Sequence, residues 1–222
     1  MKRRLILFSG GVESTALLTI ADKKDLLLIC GVPRKNYTYG LDYAKCKKIA
    51  SVYGNEIMEF DFPNQIDGSK WTNQLMWFVF TSYLIVASRD DINEVWWGMH
   101  YNESHRNFNH PIERKKNFER IMTAWYTLHP TIKFWAPLEF ETKTQQWQRI
   151  PDDVKKYVSW CNTNNDCGVC RKCLEFKKYC GDIPKNRPIF VPPKKELKEV
   201  QQYSDSNGKK FLSNFLNIKG NA

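Results

Sequence analysis

Five short apolar runs, Leu5–Phe8, Leu26–Val32, Ile57–Phe62, Val95–Met99 and Ile132–Trp135, alternate with helix-compatible segments at Ser14–Asp22, Leu41–Tyr53, Asn73–Ser88 and Pro111–Leu128. Short, mainly apolar runs of this kind fit strands buried on both faces. Strands of that kind are parallel and are joined by right-handed helical crossovers. The pattern therefore predicts an α/β fold, a doubly wound parallel five-stranded sheet with its ligand crevice at the strand C-termini. At 222 residues the chain divides into a sheet domain over 1–150, a helical cysteine-bearing segment over 151–183 and an extension over 184–222. Asp152–Trp160 and Arg171–Tyr179 read as helices. Val200–Lys210 reads as loop, followed by a short apolar anchor at Phe211–Ile218. The sequence contains no internal repeat.

The first strand runs into Ser9-Gly10-Gly11-Val12-Glu13-Ser14-Thr15 and then into a helix-like stretch. Two glycines permit close backbone approach, three hydroxyls supply donors, and a helix N-terminus carries unpaired N–H groups with a partial positive charge. Such a loop suits a phosphate. It is not G-x-x-x-x-G-K-[ST], since neither Gly-Lys-Ser nor Gly-Lys-Thr occurs in the chain, and it does not fit G-x-G-x-x-G. An ordinary strand-to-helix turn, with Glu13 or Ser14 near the cap, is the alternative reading.

Cys161, Cys167, Cys170 and Cys173 form C-x5-C-x2-C-x2-C, with Asn162, Asn164, Asn165, Asp166 and Gly168 as turn residues between them. Four thiolates this close in sequence suit tetrahedral Zn²⁺, and a closed all-sulfur shell makes the metal structural. A disulfide framework is the rival. It fits poorly, because seven cysteines leave one over and the chain is long enough for a full core. Cys30, inside Leu26–Val32, reads as a small core residue, and Cys46 and Cys180 sit in helical patterns.

Net charge is +10, from 34 Lys+Arg against 24 Asp+Glu, which suits anionic substrates without choosing between nucleotide and nucleic acid. Much of the excess lies in runs such as Lys45-Cys46-Lys47-Lys48, Arg114-Lys115-Lys116, Lys155-Lys156 and Lys194-Lys195, expected to be solvated helix surfaces. No apolar stretch has the length of a membrane span. No secretory signal precedes the Ser-Gly-Gly loop, so a reducing cytoplasm is the expected compartment.

The Ser-Gly-Gly-Val-Glu-Ser stretch resembles the PP-loop of N-type ATP pyrophosphatases, Ser-Gly-Gly-X-Asp-Ser, whose members cleave ATP between the α and β phosphates and adenylate a substrate. Glu13 stands where that family has Asp, adding a methylene to whatever the carboxylate orients. With the four cysteines near the end, the chain resembles one branch, the 7-cyano-7-deazaguanine synthases. Asn73, Gly98 after Trp96-Trp97, and Lys143 after Ala136-Pro137-Leu138 occupy comparable places. The resemblance runs from about residue 4 to residue 180. The family's Asp-Tyr-Gly-Gln stretch is absent, replaced by Gly31–Tyr37, and the loop Met99–Phe108 is only loosely similar.

The resemblance implies an adenine nucleotide α-hydrolase-like sheet that binds ATP, with Mg²⁺, through Phe8, Ser9, Gly10, Gly11, Val12, Glu13, Ser14, Thr15 and Gly98. It gives Glu13, Ser14 and Lys143 the catalytic roles, with Lys143 across the crevice from the loop. Read on its own, Lys143 is an exposed helix residue. Asn73, His100, His105, Arg106 and Phe108 are the implied contacts to a purine-like carboxylate, through charge and stacking. The implied reaction converts 7-carboxy-7-deazaguanine and ammonia to the nitrile through adenylated intermediates, releasing AMP and pyrophosphate. Members of the family commonly associate, which makes a homodimer one expectation. Three rivals stand beside it: a relative that conjugates the activated carboxylate to protein or serves DNA modification or defence, a tRNA-modifying PP-loop enzyme, and a non-catalytic nucleotide-binding partner. No dedicated RNA-binding module is visible for the second.

Overall fold

The computed structural model describes residues 2–31, 39–61, 74–99, 122–160, 168 and 171–181. In chain order these form β1 (Arg3–Leu7), α1 (Val12–Leu17), β2 (Leu26–Gly31), α2 (Tyr39–Tyr53), β3 (Glu56–Asp61), α3 (Gln74–Ala87) and β4 (Ile92–Trp97). A helical stretch at 122–128 follows, then β5 (Lys133–Trp135), α4 (Lys143–Arg149), α5 (Asp152–Lys155) and α6 (Arg171–Cys180). All five strands are parallel, in the order β3-β2-β1-β4-β5. Leu5 lies between Leu26 of β2 and Val95 of β4, and Val95 pairs in turn with Phe134 of β5.

Side chains of one strand point alternately to the two faces, and here both faces are covered. Leu5, Leu7, Leu26, Leu28 and Val95 pack with α3 and Trp125. Ile6, Phe8, Leu27, Ile29 and Trp96 pack with α1, α2, α4 and the C-terminal segments. That second cluster contains Val154, Val158, Trp160, Cys173 and Phe176, so the described part of 151–183 shares one core with the sheet.

Element boundaries moved for local reasons. α1 starts at Val12 and ends at Leu17, and the N–H groups of Leu18, Thr19 and Ile20 then bond three residues back, tightening the chain into a 3₁₀-like turn. β4 begins at Ile92, ahead of the apolar run, because Glu94 is satisfied within the sheet: its Oε2 accepts the indole N–H of Trp96 at 2.8 Å and of Trp135 at 3.0 Å. α5 ends at Lys155, well short of Trp160. α4, expected only through the reading of Lys143 as an exposed helix residue, has its start written in the sequence as Thr142-x-x-Gln145. The Thr142 hydroxyl accepts from Gln145 N and the Gln145 side chain accepts from Thr142 N, a complete capping box. The lysine run in α2 is only half solvated: Lys47 and Lys48 are exposed, while Lys45 and Cys46 are buried.

The order 3-2-1-4-5 fixes where a ligand would go. From β1 the chain winds outward to β2 and β3, then returns past β1 to β4 and β5. At the β1/β4 boundary the crossovers diverge, and it is beyond the strand C-termini at such a switch point that open α/β sheets hold their ligands. The Ser9–Gly11 loop leaves β1 at this point and Gly98-Met99 leaves β4 beside it.

Candidate functional site

Ser9 and Ser14 close the loop on itself. Ser9 N donates to Ser14 Oγ at 3.2 Å, the two hydroxyls lie 3.1 Å apart, and Ser14 Oγ donates to Gly11 O at 3.3 Å. Gly11 N in turn donates to Ser9 Oγ at 3.4 Å. The serines thus hold the loop's shape, and no side chain caps the N-terminus of α1. Gly10 has φ +69°, the left-handed region glycine favours, and a Cβ there would lie 2.7 Å from Cys46 Sγ of α2. Gly98 is constrained more severely. Its Cβ would lie 2.7 Å from Ser14 N and 2.8 Å from Glu13 C, so the chain leaving β4 rests directly on the first turn of α1.

Among the expected ATP-binding residues, Phe8 and Val12 are core side chains, with Phe8 N bonded to Leu28 O at 2.8 Å, so they face the loop only through backbone. Thr15 is fully buried, and its Oγ1 has no hydrogen-bond partner among the described residues. Glu13, in the first turn of α1, remains partly accessible.

Lys143 opens α4 and is 5% exposed, not the solvated helix residue its neighbours suggest. Its Nζ lies 2.7 Å from Glu13 Oε1 and 3.0 Å from Glu175 Oε1 of α6. Burial alone would lower the lysine's pKa, but Glu13 and Glu175 outweigh it and hold the ammonium above the ordinary lysine range. It is charged at every physiological pH. Cys180, whose thiol feels the same three charges, is pushed up to about 12, mainly by burial, and so stays a neutral thiol.

Gln146, one turn along α4 and fully buried, donates from Nε2 to Met99 O at 2.6 Å and to Leu138 O at 2.9 Å. It ties together the chain leaving β4 and the turn after β5. Behind it, Trp147, Trp160 and Phe176 interlock: Trp160 stacks on Phe176 at 3.8 Å between centroids, and Trp147 meets Phe176 edge-on at 4.9 Å. Ser159 N donates to Gly10 O at 2.7 Å, which moors the segment just before Cys161 to the loop.

The structure therefore brings Ser9, Gly10, Gly11, Glu13, Ser14, Gly98 and Lys143 to one end of the sheet. Asn73, His100, His105, Arg106, Phe108, Cys161, Cys167 and Cys170 lie outside the described residues. Cys173 is buried in α6, and Gly168 of the cysteine segment has φ +75°. Among the described residues no cluster of three or more metal-ligating side chains occurs, and no helix is long and apolar enough to cross a membrane. Reading the sequence missed Glu175, Gln146, Ser159 and Cys46. Only the Thr142–Gln145 capping signal, which locates α4 and hence the turn carrying Gln146, was there to be read.

No protein-family model matches the chain, and no curated protein sequence matches it. Among solved structures, NMN synthetase from Francisella tularensis is similar, with 14% identity and a TM-score of 0.43 over 87% of this chain and 90% of that one. The U34-tRNA thiolase NcsA from Methanococcus maripaludis, solved with its 4Fe–4S cluster, is similar at 13% identity and a TM-score of 0.41, over 94% of this chain and 66% of that one. Both likenesses are distant.

Proposed function

We propose that the chain binds Mg²⁺-ATP in the β1/β4 crevice and cleaves it between the α and β phosphates to adenylate a carboxylate. The observation that carries this reading is the 2.7 Å contact between Lys143 and Glu13, which joins the Ser-Gly-Gly loop to the only lysine of the expected constellation, in a crevice at the sheet's switch point. In the adenylation a carboxylate oxygen attacks the α phosphorus and pyrophosphate leaves with the electron pair of the broken P–O bond. A fixed ammonium beside the loop is placed to stabilise the charge that builds on that leaving group. Ser9 and Ser14 keep the loop closed, Gly10 lets it pack against Cys46 of α2, and Gly98 lets the chain leaving β4 lie against the first turn of α1. No protein nucleophile takes part, in keeping with the neutral Cys180 thiol.

The finer reading takes 7-carboxy-7-deazaguanine as the carboxylate. Ammonia displaces AMP to give the amide, and a second ATP adenylates the amide oxygen so that loss of AMP and protons leaves the nitrile. Asn73, His100, His105, Arg106 and Phe108 are the proposed contacts to this nucleobase. The division into a sheet domain over 1–150, a cysteine segment over 151–183 and an extension over 184–222 is part of the same reading.

Cys161, Cys167, Cys170 and Cys173 would hold Zn²⁺. The left-handed Gly168 between Cys167 and Cys170 supplies the sharp turn that a C-x2-C step needs, and Cys173 is already out of water. The metal would contribute closure of this segment and no reactive position.

Incubation with Mg²⁺-ATP, ammonia and 7-carboxy-7-deazaguanine tests the reading. AMP that depends on the nucleobase, together with a nitrile by mass, supports it. ADP, or no nucleotide product, would sink it, and AMP without nitrile would leave adenylation but reject this substrate in favour of conjugation.

One observation favours a second reading, a nucleotide-binding protein with little turnover. Lys143 is shared by two carboxylates, so its charge is already neutralised before a phosphate arrives. Glu13→Asp, which withdraws one carboxylate by a methylene, distinguishes the two. A large gain in AMP formation means that the natural residue restrains catalysis, and an unchanged rate removes the objection.

A further inference from the structure

Resting on that reading of the crevice, we infer that Glu175 is a positioning residue for Lys143, and that α6 is thereby part of the ATP site rather than a scaffold beside it. A lysine ammonium is a compact charge on a flexible stem, and one acceptor leaves it free to swing about that contact. Here it has two, from different helices: Glu13 Oε1 on α1 at 2.7 Å and Glu175 Oε1 on α6 at 3.0 Å. A single carboxylate would suffice to neutralise it, so the second fixes its direction. The cost of burying a third charge is offset only when the geometry is well held.

The neighbourhood supplies that hold. Phe176, next to Glu175, stacks on Trp160 and meets Trp147 of α4 edge-on, so the helix bearing Glu175 and the helix bearing Lys143 are locked by one aromatic cluster. Thr144 Oγ1 adds a bond of 2.7 Å to Tyr179 O, again between α4 and α6. The cysteine segment is bracketed by two contacts to the same loop. Before it, Ser159 N bonds Gly10 O, and after it, Glu175 reaches Glu13 through Lys143. Ser159 and Glu175, on either side of the cysteine segment in sequence, thus both tie to the loop.

Glu175→Ala removes the second acceptor and Glu175→Gln restores an oxygen of the same reach. The first readout is independent of ATP: labelling of the full-length protein by an amine-reactive reagent at one pH, with Lys143 compared with the exposed Lys24 by peptide mass spectrometry. Lys143 labelling should rise severalfold in Glu175→Ala and fall back towards the natural rate in Glu175→Gln. The second readout is AMP formation. If the ammonium acts on the leaving pyrophosphate, Glu175→Ala should lower kcat by roughly ten- to a hundredfold, less than removal of a transition-state donor, while KM for ATP stays near its natural value. Glu175→Gln should recover most of kcat. Unchanged Lys143 labelling in Glu175→Ala overturns the inference, as does a Gln variant that folds with the natural melting temperature but behaves like Ala. Absence of AMP from the natural protein, with the labelling shift intact, rejects the ATP reading while leaving the positioning of Lys143 established.

Discussion

On one face of the sheet, Leu5, Leu7, Leu26, Leu28 and Val95 meet α3 and Trp125 in an apolar cluster, and the buried Ser82 of α3 donates from Oγ to Val79 O at 2.9 Å within its own helix. On the other face, Ile6, Leu27, Ile29 and Trp96 meet segments drawn from four places in the chain, and the Glu13–Lys143–Glu175 triad and Gln146 lie on that side. The same strands build both faces. The difference teaches that the first face supplies stability through apolar area, whereas the second uses comparable apolar packing to hold charges in place, so damage there should appear in chemistry as well as in melting temperature.

The largest effect should come from the charge at the centre of the second face. Lys143→Met leaves Glu13 and Glu175 without their shared ammonium and should cost about 3–5 kcal/mol by thermal or denaturant melting, together with loss of AMP formation. The lysine's folded pKa is raised, so its contribution is complete below the ordinary lysine value, about 10.4, and is lost only as pH rises past the folded value. The stability gap between the natural protein and the variant should therefore be flat between about pH 7 and 9. A gap that closes within that range would mean the triad is not formed.

Phe176→Ala and Trp125→Ala remove fully buried aromatics from opposite faces and should each cost about 3–5 kcal/mol. Only Phe176→Ala should also increase Lys143 labelling. Equal labelling in the two variants would erase the contrast between the faces. Gly98→Ala places a methyl against backbone of α1 and should cost about 1–3 kcal/mol, with a loss of ATP affinity larger than its loss of stability. Isothermal titration with a non-hydrolysable ATP analogue beside melting curves would check that ratio.

The smallest effect belongs to the N-terminal edge of the sheet, away from the crevice. Arg89 holds the Asp91 carboxyl down to about 2, with burial opposing and Arg3 assisting. A lowered carboxylate gives stability that is present above its unfolded value, about 3.9, and is lost as pH falls through the folded one. Asp91→Asn should cost about 0.2–1 kcal/mol at pH 7, less near pH 2, and leave Lys143 labelling untouched.

The sheet was legible because strands covered on both faces are mostly apolar: β1, β2 and β4 each carry an apolar run, while the runs of the edge strands β3 and β5 are broken by Glu59, Asp61 and Lys133. β4 starts ahead of the apolar run Val95–Met99, since Asn93 and Glu94 are polar, and the indole donors of Trp96 and Trp135, with Lys133 and Arg4 nearby, accommodate the carboxylate in a strand. The loop and Lys143 were legible as residue types at a resemblance-bearing spacing. The burial of Lys143 was not, since polar neighbours such as Thr142, Thr144 and Gln145 give no sign of what packs over them.

Sequence by itself therefore determined the α/β order, the glycine-hydroxyl loop at the end of β1 and the cysteine spacing, because each is a property of neighbouring residues. Tertiary structure alone decided that Gly98 must lack a side chain, that Cys46 lies under Gly10, and that Glu13 and Glu175 share one ammonium. Those pairings join residues far apart along the chain, and a local pattern carries no record of which distant surface will close upon it.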